Sequence, residues 1–307
     1  GSSNYMKEVI NRASSYVRML THIDSGTSIS LVGGDDNATG IGTDDYLRAF
    51  DKFEDKDTVQ IDFLIAPGQA SSTPNATVVN DLVATAVARK DCVVTASPAK
   101  DDVVGQSTPV SNSVEDANGL TFSSYAVIDN NWLKVYDKYN DKYRYIPASS
   151  STAGLMAAAD AEAAPWFSPA GPRRGALLGV TALAYTPTKA ERDTLYKASI
   201  NPIANLPGQG VMLFGDKTHM NRPSAFDRIN VRRLFNVIER AISLAARNTL
   251  FELNDEFTRA EFVNIVEPFL REIKGRRGIT DFRVVCDETN NTAAVIDRNE
   301  FVANIFI

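Results

Sequence analysis

TVQIDFLIAPG (residues 58–68), NATVVNDLVATAVARK (75–90) and CVVTASP (92–98) follow one another along the chain, and their reading decides the fold class. The first run is β-rich and closes on Pro67-Gly68, the pattern of a buried strand and its terminating turn. The second places Val78, Val79, Leu82, Val83, Ala86 and Val87 on one helical stripe. The third is another short apolar strand. Strand, helix and strand joined by short loops make a βαβ unit, which implies a parallel pair and a right-handed crossover. The chain is therefore expected to be α/β (mixed α+β), with a central β-sheet flanked by helices.

Outward from this unit, YMKEVINRASSYVRML (5–20) spaces Val9, Ala13, Tyr16, Val17 and Leu20 as a helix does. A short β-type run, Ile29 to Val32, breaks at Gly33-Gly34 into an acidic, glycine-rich loop. A short helix is expected from Thr43, its N-cap, to Phe53. Downstream, Ser111 to Ala117 reads as a short helix. Trp132, Lys134 and Tyr136, then Lys142, Arg144 and Ile146, alternate around KYND and predict a hairpin beside the parallel sheet. An alanine-rich helix from Ser149 to Ala164 runs into PWFSPAGPRRG (165–175). That loop is glycine-rich and basic, but its prolines have no N–H to offer a phosphate. Trp166 and Phe167 are expected to anchor it in the core, leaving Arg173 and Arg174 to reach outward.

In the second half, Thr188 and Glu191 form a capping box for a helix running to Ala198. Val211 to Thr218 reads as a strand entering a turn. A long helix from Phe226 to Asn248 carries the apolar stripe Ile229, Leu234, Phe235, Ile238, Ile242 and Ala245, with Arg228, Arg232 and Arg240 on another face. A further helix is expected to open at a Thr258/Glu261 capping box stapled by Phe257 and Phe262, to kink at Pro268 and to end at Gly275. DFRVVCD (281–287) and NEFVANIFI (299–307) read as the final strands.

The composition of the 307 residues, 44% hydrophobic and 23% charged, is that of a globular chain. A net charge of −6 provides no general basic footprint for nucleic acid, and no apolar run approaches the roughly 20 residues that cross a bilayer. No P-loop, dinucleotide fingerprint or nucleophile elbow occurs. His22 and His219 lack metal-ligand spacing and read as surface or turn residues. Cys92 and Cys286 read as reduced strand residues at the edge of a core. The pairs Asp35-Asp36, Asp44-Asp45 and Asp101-Asp102 read as solvated loop surface. No cofactor, metal or catalytic residue is expected. Arg232 and Arg233 have the chemistry to bind phosphate, but a solvated or interface-facing helix surface is the commoner use of such a pair.

Several stretches together resemble the tail sheath proteins of contractile-tailed bacteriophages. They are PWFSPAGPRRG, Gly33-Gly34-Asp35, QIDFLIAPG (60–68), INPIANLPGQGVMLFGDKT (200–218), FDRINVRRLFNVIERAI (226–242) and RVVCDETNNTAAVIDRNEFVANIFI (283–307). The Asp-Arg-Ile-Asn-Val-Arg-Arg-Leu run is especially close to the T-even type. The resemblance implies a non-enzymatic, structural subunit that forms a helical homopolymer around the tail tube. Contraction of that sheath would drive genome delivery through the host envelope. The implied partners are other copies, the tube protein, the baseplate and the tail terminator, with no direct nucleic-acid or membrane contact. The implied location is the virion tail, assembled in the host bacterial cytoplasm. The sheath of a phage-tail-like bacteriocin or type VI secretion machine is the alternative within this mechanism. A phosphate-binding α/β enzyme is the alternative from another class.

On this reading the chain divides into an N-terminal helical segment (1–23) that opens with a tag-like scar, an outer α/β portion (24–165) and a sheath core portion (166–307). It reads as a fragment lacking the terminal arms and is expected to be monomeric. The family's charge-complementary contacts imply Arg173, Arg174, Arg228, Arg232, Arg233 and Arg240 as candidate assembly contacts, with Glu261, Glu267 and Glu272 as their acidic counterpart.

Overall fold

A computed structural model describes Arg12 and residues 41–307. The expected helix at 5–20, the strand at 29–32, the glycine loop and His22 lie outside the described residues. From Thr43 to Ile307 the chain is one compact unit.

Helix α1 (Thr43–Phe50) runs into a short 3-10 turn at Asp51–Phe53. The βαβ unit follows as β1 (Phe63–Ile65), α2 (Ser72–Arg89) and β2 (Val93–Ala96). The two strands pair in parallel, Phe63 opposite Val93. Helix α2 buries Val78, Val79, Leu82, Val83 and Ala86 against the sheet, whereas Val87, expected on the same stripe, is exposed. Strand β1 is shorter than its β-rich run because two arginines take the carbonyls ahead of it. Arg89 donates to Val59 O at 2.8 Å and Arg240 to Ile61 O at 2.8 Å. Those carbonyls are satisfied by side chains instead of a ladder partner.

After α3 (Lys100–Val103) and α4 (Pro109–Asn118), strand β3 (Ala126–Ile128) joins β2 in parallel and completes the order β1-β2-β3. All four residues of the central strand β2 are buried, as a strand covered on both faces requires. Next come β4 (Trp132–Asp137) and β5 (Lys142–Pro147), the expected hairpin, in register from Trp132 opposite Pro147 to Asp137 opposite Lys142. Helix α5 (Ser149–Glu162) follows, and β6 (Ala182–Leu183) adds to β4. Helix α6 (Lys189–Lys197) opens on the Thr188/Glu191 capping box read from the sequence.

The antiparallel pair β7 (Ile203–Leu206) and β8 (Gly210–Leu213) leads to two long helices, α7 (Ile229–Arg247) and α8 (Glu256–Gly275). Leu234 and Ile238 of α7 meet Phe262, Val266, Leu270 and Ile273 of α8 in a second core cluster that includes Trp166. Helix α8 begins a turn earlier than the expected capping box. Asp255 is its N-cap and accepts from Thr258 N at 2.8 Å, because a carboxylate there satisfies the orphan donors first. Phe257 is consequently exposed and is no staple. The helix continues through Pro268, and Gly275 is its last helical residue, with Arg276 as cap. The last elements are β9 (Arg283–Val285), α9 (Ala293–Asp297) and β10 (Asn304–Phe306), with β9 and β10 antiparallel.

Two further expectations are corrected. His219 is no surface residue. It is fully buried, stacked on Phe122 at 4.8 Å, with Nε2 at 3.0 Å from Ala117 O. Cys92 is no edge residue either: it sits fully inside, where burial pushes its thiol up to about 12.

Candidate assembly surfaces

Helix α7 is amphipathic in an unusual way: one face is apolar and the other is a row of arginines. Leu234 and Ile238 of the apolar face pack on α8, and the arginines are directed at other parts of the chain. Arg232 is 6% exposed, donates to Ser124 Oγ at 3.0 Å and Tyr125 OH at 3.2 Å, and lies between the rings of Tyr125 and Phe226. Arg233 is 5% exposed, donates to Met156 O at 3.2 Å, pairs with Asp160 and covers the Phe63 ring. Arg240 donates to Asp62 Oδ1 at 2.7 Å and to the carbonyls of Ile61 and Asp91, both at 2.8 Å. Arg228, nearer the surface, donates to Asp216 Oδ1 at 2.7 Å and to Tyr196 OH.

The solvated or interface-facing reading of Arg232 and Arg233 is thereby corrected. Their planar guanidinium groups are spent on carbonyls, hydroxyls, a carboxylate and ring faces inside the chain. Nor do they present a free fork to a phosphate. Arg232 and Arg240 latch α7 to the segments that lead into the parallel sheet, and Arg233 latches it to helix α5.

The remaining candidates are differently placed. Arg174 donates to Ser168 O at 2.8 Å and lies over the Phe167 ring, so it closes its own loop. Glu267 and Glu272 pair with Arg271 and Arg276 one turn along α8, at 3.5 and 3.6 Å. Such exposed pairs contribute only about 0.3–0.5 kcal/mol each. Arg173 and Glu261 are exposed and make no ion pair among the described residues.

Sequence reasoning missed a second joint. Asp129, Asn130 and Asn131 follow β3 and are all fully buried. Asn130 accepts from Ile203 N at 2.7 Å and donates to Tyr185 OH at 2.8 Å, while Asn131 donates to Tyr185 O at 2.8 Å and accepts from Trp132 N at 3.0 Å. Thr152 Oγ1 of α5 donates to Asp129 Oδ2 at 3.2 Å. Three consecutive polar residues between two strands were the available signal: buried groups of this kind must find partners, so they tie segments together.

Burial pushes the Asp129 carboxyl up to about 7, against the opposing hydrogen bonds. The folded chain therefore holds a proton that an unfolded aspartate has lost. That contribution to stability is complete below about pH 4 and is lost as pH rises towards 7, at up to about 1.4 kcal/mol per unit. Asp116, pushed by burial to about 6, adds to the same slope at lower pH. Asp129→Asn should flatten the fall in urea-unfolding stability between pH 6 and 7 most of all. A variant as pH-sensitive as the parent there would disprove the assignment.

Comparison with known proteins places these features. A family model described as the phage tail sheath protein central domain matches residues 39–219, and one described as the phage tail sheath C-terminal domain matches 221–307. This chain belongs to the phage tail sheath family. It is 41% identical to the tail sheath protein of Vibrio phage KVP40 over 100% of its own length and 49% of that protein. It is likewise 41% identical to the tail sheath protein of Enterobacteria phage T4, over 91% of its length and 44% of that protein. The chain thus spans about half the length of these sheath relatives. The fold is shared more widely. The helical sheath of the anti-feeding prophage in its contracted state aligns with a TM-score of 0.69 at 20% identity, covering 90% of this chain and 72% of that one. An extracellular contractile injection system sheath, also contracted, aligns with a TM-score of 0.65 at 21% identity, covering 81% and 67%.

Proposed function

We propose that this chain is the central and C-terminal part of a contractile tail sheath subunit. Such a subunit polymerises around the tail tube and, on a signal from the baseplate, rearranges to drive the tube through the host envelope. The observation that carries this reading is the 41% identity to the KVP40 tail sheath protein along the whole chain. The arginine latch supports it: a contracting polymer needs subunits that move as units, and buried Arg232 and Arg233 tie α7 to α5 and to the entry of β3. The partners in this reading are further copies, the tube protein, the baseplate and the tail terminator. Its place is the virion tail, assembled in the host bacterial cytoplasm. Identity to phage proteins favours a phage over a bacteriocin or secretion machine, since the injection-system sheaths share only the fold.

Arg173 and Glu261 remain the assembly contacts of choice, because the other candidates are occupied within the chain. In the full-length protein, Arg173→Glu and Glu261→Lys together should leave folding intact and reduce the fraction of sheathed tails seen by electron microscopy. A normal fraction would remove both from the interface. Failure of the unsubstituted full-length protein to sheathe tubes at all would sink the function itself.

A further inference from the structure

The turn between α7 and α8 departs from the rest of the surface. Within eight residues it exposes Leu250, Phe251, Leu253 and Phe257, with Phe251 fully in solvent. Phe251 also adopts φ 69°, a left-handed conformation that a bulky side chain avoids. The same turn carries Glu252, Asp255 and Glu256, and no basic residue lies between 248 and 258. It is an acidic, apolar knob.

A complementary recess lies along α7. A cleft of about 470 Å³ is lined by the apolar side chains Phe235, Ile242, Leu244, Ile305 and Ile307. Lys56 and Lys90 stand on its rim. Two of its other cations are already matched, Arg89 with Asp91 and Arg247 with Asp57. The half-buried Glu239 lies within electrostatic reach of both lysines, but Lys56, Arg89, Lys90, Arg240 and Arg247 against Asp57, Asp91 and Glu239 still leave the cleft lining an excess of two positive charges for a visitor.

We propose that the Leu250–Phe257 turn of one copy of this chain docks into the α7 cleft of a second copy. Phe251 and Leu253 meet the apolar lining, and Glu252 and Glu256 face Lys56 and Lys90. Both halves of the contact are on this chain, and their charges are opposite, which selects a second copy as occupant. The two surfaces differ, so the contact is heterologous and repeats from copy to copy, as a helical polymer requires. The contact rests on the self-assembling reading above and supplies it with a surface.

The test mixes two single-cysteine variants of the chain, one Phe251→Cys and one Leu244→Cys, under mild oxidation. The native Cys92 and Cys286 are buried and do not compete. The mixed disulfide should exceed that of a control pair, Tyr139→Cys with Leu244→Cys, by about tenfold. Adding Lys90→Glu to the cleft partner should bring the yield down to the control level, and adding Glu252→Lys to the turn partner should restore it. A mixed disulfide no better than the control, or one indifferent to charge reversal, overturns the proposal. All five substituted side chains are exposed, so folding is not at stake. The readout is independent of sheath formation: a charge-sensitive contact in a protein whose full-length form never sheathes a tube would leave the contact standing and sink the function.

Discussion

Replacing Arg233 with alanine should cost the chain about 3–5 kcal/mol of stability, the range for breaking a buried ion pair by removing one partner. The side chain is 6% exposed, and its guanidinium holds Asp160, the Met156 carbonyl and the Phe63 ring face at once. Its loss would strand a half-buried carboxylate whose second oxygen already has no partner. Burial outweighs the ion pair even in the intact protein, so the Asp160 pKa lies above the ordinary carboxylate value. Asp160→Asn added to Arg233→Ala should therefore recover part of the loss. Urea unfolding followed by fluorescence of the buried Trp132 and Trp166 reads both. A loss of less than about 1 kcal/mol for Arg233→Ala would mark the pair as a surface contact and refute the latch.

Trp166→Ala should be comparably severe, about 3–5 kcal/mol, because it empties the centre of the second core cluster. The indole donates to Arg276 O at 3.1 Å, the Arg276 guanidinium covers the ring at 5.1 Å, and Gly278 lies so close that a Cβ there would be 3.2 Å from it. The ring thereby joins the PWFSPAGPRRG loop to the end of α8. Trp166→Phe retains most of the volume and loses the hydrogen bond, so it should cost less, about 1–2 kcal/mol. Calorimetric melting separates the two. Equal losses would mean that the hydrogen bond, not the packing, is what matters.

Much of the fold was legible in the sequence because it is written in local terms. Period-3.6 spacing marks α2, alternation about a polar turn marks the β4–β5 hairpin, and Thr188-x-x-Glu191 marks the start of α6. Each rests on interactions within a few residues. The start of α8 is ambiguous for the same reason: two capping signals lie three residues apart, and position alone does not rank them. Asp255 wins as N-cap, and Phe257 is left in solvent.

The candidate surfaces were much less legible. An arginine on an amphipathic helix reads as solvated when only its own helix is in view, and Arg232 and Arg233 read as outward-facing on that basis. What reverses the assignment is a set of partners brought in from 73 to 108 positions away: Ser124 and Tyr125 just ahead of β3 for Arg232, and Met156 and Asp160 of α5 for Arg233. His219 and Asp129 follow the same pattern. Both are polar in the sequence and both are fully enclosed in the fold.

By itself, then, the sequence determined the elements, the α/β class and, through runs such as FDRINVRRLFNVIERAI, the family. Tertiary structure alone decided which charges remain for other molecules. Burial and pairing depend on what long-range packing brings alongside a side chain, and a buried guanidinium stays inside only where that packing supplies its acceptors.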